Sequence, residues 1–444
     1  MILIKTNTTG GATLAQTTVS TTSVTAGVDT GQDYRRPLAM VTTLFFMWGF
    51  LTSLNDILIP HLKSVFDLNY TKAFLIQFAF FTSYFVFSLP SGKLIDAVGY
   101  KKAMVAGLFT MGLGAFLFIP AASVPSYPLF LGALIVLAAG MTILQVSANP
   151  YVAILGPEKT AASRLNLAQA FNSLGTTIGP KLGGLLILSS APLAIEVMHQ
   201  MSAPDLHAYR IQQASSVKLP YLVFGLALVA LGIAIASVKL PRITSVEQRD
   251  AAHDSIWRHT HLILGAVGIF VYVGAEVSIG SFLVNYFADP QIGNISEKVA
   301  SGLVSFYWGG AMVGRFIGSA LQQKISPNKI LGVAALVASV LVAASMLTFG
   351  HVAMWTIIAV GLFNSVMFPT IFTLAIEGLG PLTGDGSGLL VAAIIGGAII
   401  PELQAFIADR IGIHHAFFLP ILCYFYIAYY AFVGSRRKTA VRTA

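Results

Sequence analysis

Two apolar stretches carry amide side chains at helical spacing. In 127–154, Thr142, Gln145 and Asn149 recur at i, i+3 and i+7, and in 165–190 Asn166, Gln169, Asn172 and Thr176 recur likewise. That spacing puts each set on one face of a helix. An amide offers a donor and an acceptor together, which suits a ligand rich in hydroxyls that must lose its water on binding. The alternative use of such stripes is interhelical hydrogen bonding without a ligand. Carboxylates stand out for another reason. Asp56 lies in LTSLNDILIPHLK (51–63), and Glu276 lies in the apolar run 260–288. A charge near bilayer depth costs about 2.5–3.5 kcal/mol on insertion scales, so it is seldom kept without a task. Asp56 reads as a group that takes up a proton or cation, or as a structural cap near Pro60. Glu276 reads first as an acceptor for a ligand hydroxyl, then as a second ion-linked group, then as a buried paired charge.

Other polar residues complete the candidate set. Ser278, Ser281 and Asn285 form one stripe, and Glu276 points nearly opposite Asn285 on a straight helix. Both line one cavity only if the helix breaks, for which Gly280 is the available place. Tyr307 and Trp308 suit stacking against an apolar ligand face or plain packing. Asn364 precedes an FPT segment in the outer half of its run. Glu377, near a run end, fits a gate or interface, Glu402 beside Pro401 fits structure and site equally, and His414 and His415 read as solvated loop residues. No nucleophile elbow, phosphate-binding loop or His/Cys metal set occurs, so the chain reads as no enzyme and needs no cofactor or metal. The lone Cys423 rules out a disulfide framework.

The elements that must hold these residues follow from composition. The 444 residues are 56% hydrophobic and 10% charged, with a mean hydropathy of +0.78. Soluble domains carry roughly 25% charged residues, because their surface faces water. The class is therefore a polytopic all-α membrane protein embedded in a lipid bilayer. Apolar runs near 38–62, 73–95, 102–121, 127–154, 165–190, 219–239, 260–288, 299–321, 330–349, 352–378, 387–409 and 414–434 give twelve spans. The net charge of +8 is spread over short connections, which argues against nucleic acid. With the N-terminus inside, eighteen Lys and Arg fall in inner connections against six in outer ones, which places both termini in the cytoplasm.

The polar segment 240–258 splits the twelve spans into two sixes. Gly49 and Gly274, Gly92 and Gly318, Pro150 and Pro369, and Pro180 and Pro401 recur at separations of 219–226 residues across it. Two pseudo-symmetric six-helix halves follow, at 37–239 and 259–435, between a disordered cytoplasmic tail, 1–36, and a cytoplasmic tail, 436–444.

SGKLIDAVGYKK (91–102) joins the second and third runs. Gly92 permits close helix approach, Asp96 caps or pairs at a helix end, Gly99 permits a tight turn, and Lys101 and Lys102 mark the cytoplasmic face. The pattern resembles the signature loop of the major facilitator superfamily. A weaker echo follows the eighth run, in Gly314, Arg315, Gly318 and GSALQQKISPNK (318–329), with Gln322 where the aspartate would repeat. The segments FFMWGFLTSLNDILIPHLK (45–63), QVSANPYVAILGPE (145–158), AQAFNSLGTTIGPKLGG (168–184), YVGAEVSIGSFLVNYF (272–287) and FPTIFTLAIEGLG (368–380) are similar to the fucose–galactose–glucose permease group. SSVKLPY (215–221) is similar to its bacterial glucose/galactose branch.

The resemblance implies the twelve-helix major facilitator fold, in a bacterial inner membrane, and uptake of a monosaccharide driven by a proton or sodium gradient. It implies a monomer whose partners are the sugar and a coupling cation. In the fucose permease pattern Gln169 and Asn172 fall at cavity positions. The residue reading adds Gln145 and Asn149 on that side, with Glu276, Asn285, Trp308 and Asn364 across from them. Gly92, Asp96, Lys101 and Arg315 fall to the gate. Relatives of the fucose branch carry a glutamate where Gln145 stands, and an amide binds no coupling proton, so Asp56 becomes the coupling residue of the first half. An exporter of drugs or metabolites, or a passive sugar facilitator, are the alternatives on the same fold.

Overall fold

The structure, a computed structural model, describes residues 34–66, 70–124, 126–187, 197–198, 200–215, 217–241 and 255–436, with the side chains of 54–66 among those left undescribed. Its first part holds α1 (Arg35–Phe66), α2 (Tyr70–Val98), α3 (Tyr100–Ser123), α4 (Tyr127–Ile154), α5 (Ala161–Ile187), α6 (Ala203–Ser215) and α7 (Lys218–Ser237). The second holds α8 (Thr260–Ala288), α9 (Glu297–Leu321), α10 (Pro327–Leu347), α11 (Gly350–Asn364), α12 (Met367–Ile376), α13 (Thr383–Ala392), α14 (Gly396–Ile411), α15 (Ile413–Ala416) and α16 (Phe418–Tyr429). Among the described residues there is no strand, and nine helical stretches are long and apolar enough to cross a membrane.

The distribution of polarity is that of a protein dissolved in lipid. Val340, Leu219 and Leu347 stand 67–81% exposed, while Gln145, Asn149, Asn166, Gln169 and Asn364 are at most 5% exposed. Water would reverse that arrangement.

Helix breaks refine the tenth and eleventh spans. The tenth is two helices, α11 and α12, separated at Ser365–Val366. Pro369 has no N–H to offer, so the Ser365 carbonyl one turn back is left without its helical donor. The eleventh divides at Ala393–Ile395 between α13 and α14.

Close packing between helices depends on small residues, because lipid supplies no hydrophobic drive for helix association. A β-carbon at Gly49 on α1 would lie 2.0 Å from the Asn172 carbonyl oxygen on α5. One at Gly361 on α11 would lie 2.1 Å from the Tyr307 carbonyl oxygen on α9. These two contacts bring α5 and α9, the main carriers of polar side chains, hard against their neighbours.

Candidate functional site

The amide stripe of the first half is assembled from α4 and α5. Gln169 Nε2 lies 3.4 Å from Asn149 Oδ1 and donates to it. That one bond leaves Gln145 Oε1 and Asn149 Nδ2 buried without a hydrogen-bond partner. Asn172 donates through Nδ2 to the Phe45 carbonyl at 3.0 Å, tying α5 to α1. Thr142 spends its hydroxyl on Ala138 of its own helix at 2.8 Å, and Thr176 on Ser173 at 2.9 Å. Of the seven stripe residues, Asn149 and Gln169 are therefore brought together, with Gln145 one turn from Asn149 on α4, while Asn172 is committed to backbone. Asn166 joins no such cluster and turns to α9.

In the second half a tyrosine pair organises the cluster. The Tyr272 hydroxyl lies 2.8 Å from Glu276 Oε1 and 3.0 Å from the Asn364 carbonyl oxygen. Asn364 Nδ2 donates to the Tyr307 hydroxyl at 2.8 Å, and that hydroxyl in turn lies 3.3 Å from the Glu276 carbonyl oxygen. Asn364 is fully buried and its Oδ1 has no partner. Three helices, α8, α9 and α11, thus close around one carboxylate. Tyr272 carried no distinguishing signal in the sequence, since a tyrosine in an apolar run reads as packing.

Trp308 is 43% exposed and lies over Gly280, whose β-carbon would meet its ring at 2.9 Å. It meets Tyr307 edge to face at 5.1 Å, so its own face stays available. The helix does not break at Gly280. α8 runs unbroken from Thr260 to Ala288, and Asn285 is exposed more than two turns beyond Glu276, away from the cluster.

Arg315 lies inside α9 rather than at its end. Its Nη1 donates to Ser173 Oγ on α5, and its Nε donates at 3.3 Å to the Ser365 carbonyl that Pro369 leaves free. One cation therefore touches both halves.

Two of the gate candidates, Gly92 and Asp96, meet α13 on the face that carries the α2–α3 turn. Gly92 meets Gly384 of α13, and a β-carbon on it would be 2.8 Å from the Gly384 carbonyl oxygen. Asp96 Oδ1 sits beside the same glycine, in the first turn of α13, which also carries Asp385. Lys101 turns elsewhere, donating to the Ala236 carbonyl at the end of α7 at 2.7 Å. Glu402 is exposed, and the Glu377 carbonyl oxygen lies 3.0 Å from His261 Nε2. His415 is exposed, but His414 is buried, stacked on Phe349 at 5.0 Å and bonded through Nδ1 to the Tyr286 hydroxyl at 3.0 Å. Its neighbours are rings rather than loop backbone, which the sequence alone does not reveal. Asp56 belongs to α1, but its side chain lies outside the described residues.

A bundle of apolar helices closed around two clusters of amides and a carboxylate is the arrangement of a membrane carrier. The Major Facilitator Superfamily model matches residues 40–401. A "Glucose/galactose transporter" of Brucella abortus (biovar 1, strain 9-941) is 54% identical over 407 residues, covering 91% of this chain and 95% of the relative. The "L-fucose-proton symporter" of Escherichia coli (strain K12) is 36% identical over 443 residues, covering 96% and 100%. Among solved structures, the major facilitator transporter FucP in the outward conformation superposes with a TM-score of 0.84 at 36% identity, over 90% of this chain and 99% of that one. The chain belongs to the Major Facilitator Superfamily and, within it, to the fucose–galactose–glucose permease group.

Proposed function

We propose that this protein takes up a hexose of the glucose or galactose type together with a cation, a proton first and sodium second, by alternating access. The observation that carries the reading is three buried amide atoms that find no hydrogen-bond partner among the described residues. Gln145 Oε1, Asn149 Nδ2 and Asn364 Oδ1 are buried and unpaired on both halves. An orphaned buried polar atom costs about 1–3 kcal/mol, and a ligand with several hydroxyls relieves that cost where an apolar drug does not. The names of the relatives, a glucose/galactose transporter and a fucose–proton symporter, support the same class.

In this reading the first-half amides and the Glu276–Asn364 cluster hold the sugar from either side, and Trp308 offers it an apolar face. Asp56 is the coupling group. Movement of the halves is favourable when sugar and cation are both bound or both absent, and neutralising Asp56 by a proton or a cation supplies that linkage. The halves span 37–239 and 259–435, the α2–α3 face and both termini are cytoplasmic, and the monomer sits in a bacterial inner membrane. Contacts between the halves at that face, and the likeness to an outward FucP, support an outward-facing state.

The test is counterflow in proteoliposomes with a panel of labelled hexoses, repeated under separate proton and sodium gradients. Exchange of glucose or galactose, accelerated by one gradient, supports the reading. Exchange of no hexose at all refutes it.

A further inference from the structure

Gln322 stands where the signature loop of the first half has an aspartate, and the buried hydrogen bonds around it explain the difference. Asn166 Nδ2 on α5 donates to Gln322 Oε1 at 2.5 Å, across the two halves. Gln322 Nε2 donates to Thr370 Oγ1 at 2.7 Å, and Thr370 passes its own proton to the Val366 carbonyl at 2.5 Å. Thr370 therefore presents a lone pair, which an amide N–H can use and a carboxylate cannot. One turn away Ser163 Oγ donates to the Ser319 carbonyl at 2.7 Å, and Ser319 Oγ returns the bond to the Ser163 carbonyl at 2.9 Å. All five residues are at most 5% exposed. Asn166 Oδ1 has no partner, so the set is one bond short of complete.

We infer that Asn166, Gln322, Thr370, Ser163 and Ser319 form an uncharged latch that holds the α2–α3 face shut and sets the rate at which the halves part there. The inference rests on the proposed alternating-access reading. Because the bonds are neutral and short-ranged, they let go within a small displacement and leave no long-range attraction to draw the halves back. A salt-bridged gate would weaken with ionic strength, whereas this one should not.

The test uses full-length purified protein with Cys423→Ser, so that an introduced Ser163→Cys is the one thiol. Alkylation of that thiol by N-ethylmaleimide reports opening without any need for a sugar. Gln322→Leu removes both of its hydrogen bonds and should speed alkylation about tenfold, equally at low and high salt. Thr370→Val, which removes only the acceptor, should give a smaller rise. An unchanged rate in Gln322→Leu overturns the latch, as does a rate that climbs steeply with salt in the protein without that substitution. In a second arm, Ser163→Cys and Ser319→Cys are oxidised together, the parent hydroxyls being 3.3 Å apart. The crosslinked carrier should keep hexose binding, lose counterflow and regain it on reduction. Counterflow that survives full crosslinking also overturns the latch. Failure of the uncrosslinked protein to bind any hexose would count against the substrate reading alone, since the alkylation arm still decides the latch.

Discussion

Tyr272→Phe deletes one oxygen atom and tests the second-half cluster directly. That hydroxyl bridges Glu276 Oε1 at 2.8 Å and the Asn364 carbonyl at 3.0 Å. A hydrogen bond to a charged group is worth about 1.5–3 kcal/mol in water-soluble proteins, but measured bonds between membrane helices average about 0.6 and reach about 1.7 kcal/mol. Taking about 1–2 kcal/mol, and tenfold for each 1.4 kcal/mol, hexose binding should weaken about 5–30-fold. Tyr272 is argued to act by fixing Glu276 rather than by touching sugar. A double-mutant cycle separates the two roles, with equilibrium binding of labelled hexose to purified protein as the assay. In a Glu276→Ala background the Tyr272→Phe step should cost little, giving a coupling of about 1–2 kcal/mol. If the two effects add to within about 0.3 kcal/mol, Tyr272 does not work through Glu276 and the cluster is misread.

Further outcomes follow from single contacts. Gly49→Ala sets a methyl 2.0 Å from the Asn172 carbonyl oxygen and should cost about 1–3 kcal/mol, seen as a lower melting temperature in detergent. Trp308→Ala should weaken hexose binding by about 0.5–1.5 kcal/mol while leaving the melting temperature nearly unchanged, because the ring is 43% exposed. Arg315→Met severs the contacts to Ser173 and Ser365 and should lower the turnover rate of transport more than it raises the half-saturating sugar concentration. Equal effects on both would show that Arg315 acts in binding and not in the movement of the halves.

The elements were legible from the sequence because apolar length and charge placement decide them. An amide on an apolar helix, such as Gln145 or Asn364, also announces itself, since nothing but a buried partner or ligand can satisfy it. Pairing is harder to read. Asn166 and Gln169 share one stripe at i, i+3 spacing, yet Gln169 stays with α4 and Asn166 crosses to the other half. Ser163 and Ser319 carry no signal in the sequence, and only the close approach of α5 and α9 makes them reciprocal partners. Arg315 was legible as a charge in a span. Its anchor depends on Pro369 freeing a carbonyl in a different helix, which no local pattern reveals.

The central claim is that cation binding at Asp56 drives sugar uptake against its gradient. The direct measurement is accumulation of labelled hexose in proteoliposomes under imposed proton or sodium gradients, comparing the unaltered protein with Asp56→Asn. The expected result is uphill accumulation under one of the two gradients, its loss in Asp56→Asn, and counterflow exchange that remains measurable in the variant. Undiminished accumulation by Asp56→Asn would contradict the claim.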